Sequence, residues 1–152
     1  KQTPDMQQVQ LEVVDIWHFG LSMLIDGRDV AVIAKDILQQ LESSLPAKGV
    51  IEATEDVAES ILATRQFNVP LFWVLMQATD MSFDELFKQY VGKNVLNFFR
   101  QDHGYKEGTY IKQWHEQEDN EHLSKILNSA TTIDSHFPDW VYAQLAAVYK
   151  TL

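Results

Sequence analysis

The residues with chemical potential fall into two groups far apart in the chain. The larger lies between Lys93 and Asn120. Lys93, Asn97, Arg100 and Gln101 are spaced so that one helix face carries two cations and two amides. Val95, Leu96, Phe98 and Phe99 occupy the other side and are expected to bury. Gly104 is expected to end this helix, because glycine accepts the left-handed conformation of a C-terminal cap. Beyond it, Tyr105, Lys106, Tyr110 and Lys112 alternate with small or apolar residues around Gly108. That pattern predicts a short extended loop returning its donors beside the helix. Lys93, Arg100, Lys106 and Lys112 are four of only twelve basic residues in a chain of formal charge −10. Cations gathered in so acidic a chain suit a local anion site, and a polyphosphate above all. A solvated helix face followed by a basic loop has the same spacing, so spacing alone leaves both readings open.

The second group is Glu12, Asp15, His18 and Phe19, within LEVVDIWHFGLS. Three residues apart on a helix, the two carboxylates have β-carbons roughly 5–6 Å from each other. Like charges so close repel, and a cation between them removes the conflict. Oxygen ligands in a chain without cysteine favour magnesium or manganese. A solvated carboxylate pair at a helix edge is the ordinary explanation of this spacing taken alone. His18 falls on roughly the same face, where a half-buried histidine satisfied by backbone is the plainer reading. Two further acidic groups have structural explanations. Glu52, Glu55, Asp56 and Glu59 lie where a helix is expected to start and can compensate its dipole, and Asp119 can cap a later helix.

Helices must position both groups. A first helix is predicted from Pro4, capped by Thr3, to about Ile25; a second, capped by Asp29, to about Glu42; a third from Thr54. Pro70 is expected to start a fourth, whose run Leu71, Phe72, Trp73, Leu75, Met76 implies burial on nearly all sides, in the core or at a subunit interface. Ser82 and Glu85 form a capping-box pattern for the fifth, which carries Lys93 to Arg100. A sixth follows Asp119 to Asn128, and a last follows Pro138. Trp17, Trp73, Phe98, Phe99 and Trp140 are expected in the core, as aromatics at helical spacing usually are. The fold class is all-α, a compact helical bundle with residues 1–152 as one domain.

Composition bounds the rest. Hydrophobic residues make up 45%, including eight Phe, five Tyr and four Trp, which supports a packed globule. With no cysteine, disulfides and thiolate metal sites are excluded, and a cytoplasmic setting fits. No apolar run approaches the ~20 residues that span a bilayer, so no membrane role is expected. The acidity argues against nucleic acid as a partner, because duplex affinity rests on neutralising phosphates.

Taken together, the motifs resemble those of the all-α dimeric (type 2) dUTPases, within the superfamily of MazG-type nucleoside triphosphate pyrophosphatases. The resemblance rests on Lys93-Asn94-x-Leu96-Asn97-x-x-Arg100-Gln101, Gly104-Tyr105-Lys106-x-Gly108-x-Tyr110 and Glu118-Asp119-Asn120, and on Glu12-Val13-Val14-Asp15-Ile16-Trp17-His18-Phe19 upstream. From about Ile25 to Gln89 the chain matches only as generic helix. The resemblance implies magnesium-dependent hydrolysis of dUTP, or dUDP, by a homodimer with shared active sites. It implies Glu12 and Asp15 as metal ligands, with Lys93, Asn97, Arg100, Tyr105, Lys106 and Tyr110 binding phosphate. His18 and Phe19 would border the nucleoside. The family also carries an E-x-x-E helix supplying the water-activating glutamate, and amides that read uracil. Neither precedes Glu12 here, and both are expected upstream of Lys1. A MazG-like pyrophosphatase for other dNTPs, or an inactive helical interaction module, are the alternatives.

Overall fold

The computed structural model describes residues 6–42 and 45–151. Among these, the regular elements are α1 (Met6–Ile25), α2 (Val30–Leu41), α3 (Val50–Thr64), α4 (Val69–Ala78), α5 (Phe83–Asp102), β1 (Gln113–Trp114), β2 (Gln117–Glu118), α6 (Asp119–Ser129) and α7 (Phe137–Tyr149). The class is all-α, with one two-stranded hairpin added. No described helix is long and apolar enough to cross a membrane. The chain divides into two compact units, Lys1–Leu86 and Phe87–Leu152.

The first unit is built on α4. The Asn68 side chain accepts from the Leu71 N–H at 3.1 Å, and Pro70 sits in the first turn, where its missing donor is harmless. α1, α2 and α3 all pack on α4. Its Val69, Phe72, Val74, Leu75 and Met76 are buried, while Leu71 and Trp73 are half-buried. Phe72 lies within the unit, stacked on Trp17 at 5.1 Å, so this apolar run does not by itself mark a subunit surface. Each such side chain buried contributes about 1.5–3 kcal/mol. Gly20 lets α1 approach the Phe67 ring, whose atoms would lie 2.6 Å from any β-carbon placed there. The predicted start of α1, with Thr3 and Pro4, lies outside the described residues.

Two helix starts in this unit test the cap readings. Asp29 caps α2, its carboxylate accepting from the N–H groups of Ala31 (2.9 Å) and Val32 (3.1 Å). α3, in contrast, starts at Val50 behind Gly49, four residues before the predicted Thr54. Glu52 therefore sits in the first turn, but Glu55, Asp56 and Glu59 do not. Lys48 explains part of the acidic run instead, with its ammonium 2.6 Å from Asp56 and 3.3 Å from Glu52. At the end of the unit, Ser82 Oγ accepts from the Glu85 N–H at 3.1 Å, as expected for the start of α5.

The second unit buries one line of α5. Gly92, Val95, Leu96 and Phe99 face a core completed by Trp114 of β1, Leu123 and Leu127 of α6, and Val141 and Leu145 of α7. Phe99 meets Trp114, Tyr142 and Tyr149 edge-on, at centroid distances of 5.7, 5.2 and 5.4 Å. Phe98 is not part of this core. One residue means about 100° of helix rotation, and Phe98 is 57% exposed. Trp140 packs half-buried against the core.

After Asp102 the chain forms successive turns, not the predicted extended loop. Gly104 and Gly108 have φ of +87° and +73°. The N–H groups of Thr109 and Tyr110 both donate to the Gly104 carbonyl, at 3.0 and 3.3 Å. Two left-handed glycines reverse the chain, bringing Tyr110 back toward α5 as the alternation could not. The hairpin follows, pairing Gln113 with Glu118 and Trp114 with Gln117. Its two turn residues, His115 and Glu116, have φ of 48° and 67°.

Candidate functional site

The carboxylate group lies on α1, in the first unit. Val13, Val14 and Trp17 turn into the core and so fix which way the remaining residues face. Glu12 is exposed and accepts from Gln8 Nε2 at 3.1 Å; Asp15 and His18 are half-buried. Phe19 is 71% exposed, with its ring centroid 6.2 Å from that of His18. One turn on, the Ser22 hydroxyl donates to the His18 carbonyl at 3.0 Å. Among the described residues, no three or more His, Asp or Glu side chains gather as a metal cage. A pair nonetheless suits magnesium, which usually takes one or two carboxylates and completes its shell with water and substrate phosphate. The all-oxygen donor set of Glu12 and Asp15 fits that ion.

The basic group lies in the second unit, and its centre is a buried ion pair. Arg100 Nε donates to Asp119 Oδ2 at 2.7 Å, and Nη2 donates to Oδ1 at 2.8 Å. This is the two-pronged geometry that a planar guanidinium makes with a carboxylate. The Tyr110 hydroxyl donates to Asp119 Oδ2 at 2.7 Å, and Arg100 Nη1 makes a longer bond of 3.4 Å to Asn97 Oδ1. The Asp119 side chain is 0% exposed and that of Arg100 17%. Three separate elements thereby meet at one carboxylate: α5, the returning turns and the start of α6.

Electrostatics follow from this packing. Burial alone would push the Asp119 carboxyl up, but the hydrogen bonds from Arg100 and Tyr110 outweigh it and hold it below its ordinary value. Burial, then the bond to Asp119, pushes the Tyr110 phenol up, so it stays protonated as the donor. The bond to Asp119 raises the Arg100 guanidinium against the opposing effect of burial.

The structure thus brings Asn97, Arg100 and Tyr110 together, with the Tyr105 ring centroid 6.1 Å from that of Tyr110. Lys93 is half-buried on α5, seven residues before Arg100, and Lys106 is exposed in the turns. Asp119, a motif residue that its position also offers as a helix cap, does not cap α6. Glu118 holds the N-cap position of α6, and its N–H donates to Glu121 at 2.8 Å. The E-x-x-E spacing of Glu118 and Glu121 was the available signal, since it relieves Asp119 of capping.

A family profile described as dUTPase matches residues 1–105. That stretch contains Glu12, Asp15, His18 and Phe19, and the basic group as far as Tyr105; Lys106, Tyr110 and Asp119 lie beyond it. No curated protein matches the chain. With most of its length matched, and with helices carrying the motif residues in family order, the chain belongs to the type 2 dUTPase family, hydrolases that act on dUTP.

Proposed function

We propose that the protein hydrolyses dUTP to dUMP and pyrophosphate with magnesium, with residues 1–152 working as one dUTPase-like domain in a cytoplasmic homodimer. The observation carrying this reading is the family match over residues 1–105, which includes the acidic helix and most of the basic one. Magnesium, when bound, supplies charge to neutralise the phosphate oxygens. Glu12 and Asp15 would hold it. Lys93 and Lys106 act on the phosphates as point charges, and Arg100 as a directional donor. Asn97, Tyr105 and Tyr110 support that cluster with neutral hydrogen-bonding groups, and His18 with the exposed Phe19 ring borders the nucleoside. Splitting the triphosphate consists mainly of positioning and charge stabilisation, which this set of residue types supplies.

The test is pyrophosphate release from dUTP, dUDP and the other dNTPs by the full-length protein, with and without magnesium or manganese. Metal-dependent release of pyrophosphate from dUTP alone is the expected outcome. Comparable turnover of several dNTPs would replace the reading with a broader pyrophosphatase, and no turnover of any would leave a helical binding protein.

A further inference from the structure

Asp119 lies beyond the family match and has no chemistry of its own to offer a nucleotide, because it is fully buried. Its effect must pass through the groups bonded to it. Both of its oxygens are occupied by Arg100, one of them also by Tyr110. A guanidinium carries five N–H donors in a fixed fork. Two of them, on the Nε–Nη2 edge, are bound to Asp119, while Nη1 makes the longer, 3.4 Å bond to Asn97. The ion pair therefore does more than neutralise a charge. It fixes the rotation of the guanidinium plane and leaves Nη1 as the weakly held end. The Tyr110 hydroxyl fixes the carboxylate in turn, and it ties the turns bearing Tyr105 and Lys106 to the same point.

From this geometry we infer that Asp119 and Tyr110 are positioning residues for Arg100, holding its guanidinium so that the Nη1 end is the one offered to substrate phosphate. This rests on the phosphate-binding reading of Arg100 proposed above. A clamp built this way is organised before the substrate arrives, so its orientation costs nothing during the reaction.

The experiment is a set of variants assayed for kcat and KM on dUTP in the full-length protein, each also followed by urea unfolding. Tyr110→Phe removes one hydroxyl and leaves the ion pair intact. Asp119→Asn keeps the shape and removes the charge. Both should lower kcat, Asp119→Asn by on the order of 10- to 100-fold and Tyr110→Phe by less, since small misplacements of a catalytic group carry costs of that order. In an Arg100→Lys background, whose ammonium has no fork to orient, the same two changes should cost little further. Equal losses in both backgrounds, or a fall in unfolding midpoint with kcat unchanged, would show a structural role only. Should Asp119→Asn fold poorly, Tyr110→Phe decides by the same comparison. A wild-type protein inactive on dUTP would refute the proposed function itself, a result separate from any of these.

Discussion

The acidic helix of the first unit, with two carboxylates, and the basic cluster of the second, with four cations, handle their charge in opposite ways. On α1, Glu12 stays exposed beside Gln8, on a helix whose other face is fully committed to the core. Around α5, Arg100 has been drawn into the protein and matched to a carboxylate with no exposure at all. The first arrangement keeps the Glu12 carboxylate at the surface, bonded to a neutral amide. The second answers its charge internally and leaves only direction, the way one guanidinium points. Charged residues of a site can thus contribute field or geometry, and burial separates the two.

The sharpest way to break this contrast is Arg100→Ala. It should strip activity and also cost about 3–5 kcal/mol of stability, because Asp119 would remain buried and unpaired. Turnover together with urea unfolding checks both, and loss of activity at full stability would mean that the pair is not structural. Asp15→Asn is the opposite case. Turnover should collapse or need far more magnesium, with stability changed by less than about 1 kcal/mol, as is usual away from a packed core; a magnesium titration of activity decides it.

The pH dependence separates the regions more finely. The Asp119 carboxyl is held below its ordinary value, so its stabilisation is fully present above the unfolded value near 3.9. It should fade as pH falls from there through the lowered folded value. Urea midpoints across that window should show an acid limb that Asp119→Asn flattens, and an unchanged limb would detach it from Asp119. The smallest effect is expected for Phe19→Ala. With the ring 71% exposed, stability should move by less than about 0.5 kcal/mol, while KM for dUTP rises. An unchanged KM would remove Phe19 from the nucleoside site.

The sequence was most legible where one signal had one cause. Asp29 and Ser82 marked helix starts because their side chains satisfy donors that helices always leave open. The third helix was misplaced because Glu55 and Asp56 imitate a first turn, whereas Lys48 accounts for Asp56. The motif residues were found by pattern, but pattern gave their identity and not their state. Nothing in the order of residues says that Arg100 and Asp119, 19 positions apart, would join. The hairpin was invisible for a plainer reason: its turn lacks the Asn-Gly or Asp-Gly that usually announces one.

That turn has an evolutionary consequence. His115 and Glu116 sit at left-handed φ, which costs a side chain with a β-carbon about 1–2 kcal/mol per residue and asparagine or glycine less. Here the backbone is strained, although the His115 ring nitrogen Nε2 is bonded to Thr151 Oγ1 at 2.9 Å, so change at Glu116 above all has an uphill direction open to it. Variants replacing this pair by Asn-Gly would give the lineage reserve stability to spend on harmful changes elsewhere. The two positions, like Arg65 and Asp80 at similar φ, are therefore places where natural variants of this chain should carry mutations that rescue others.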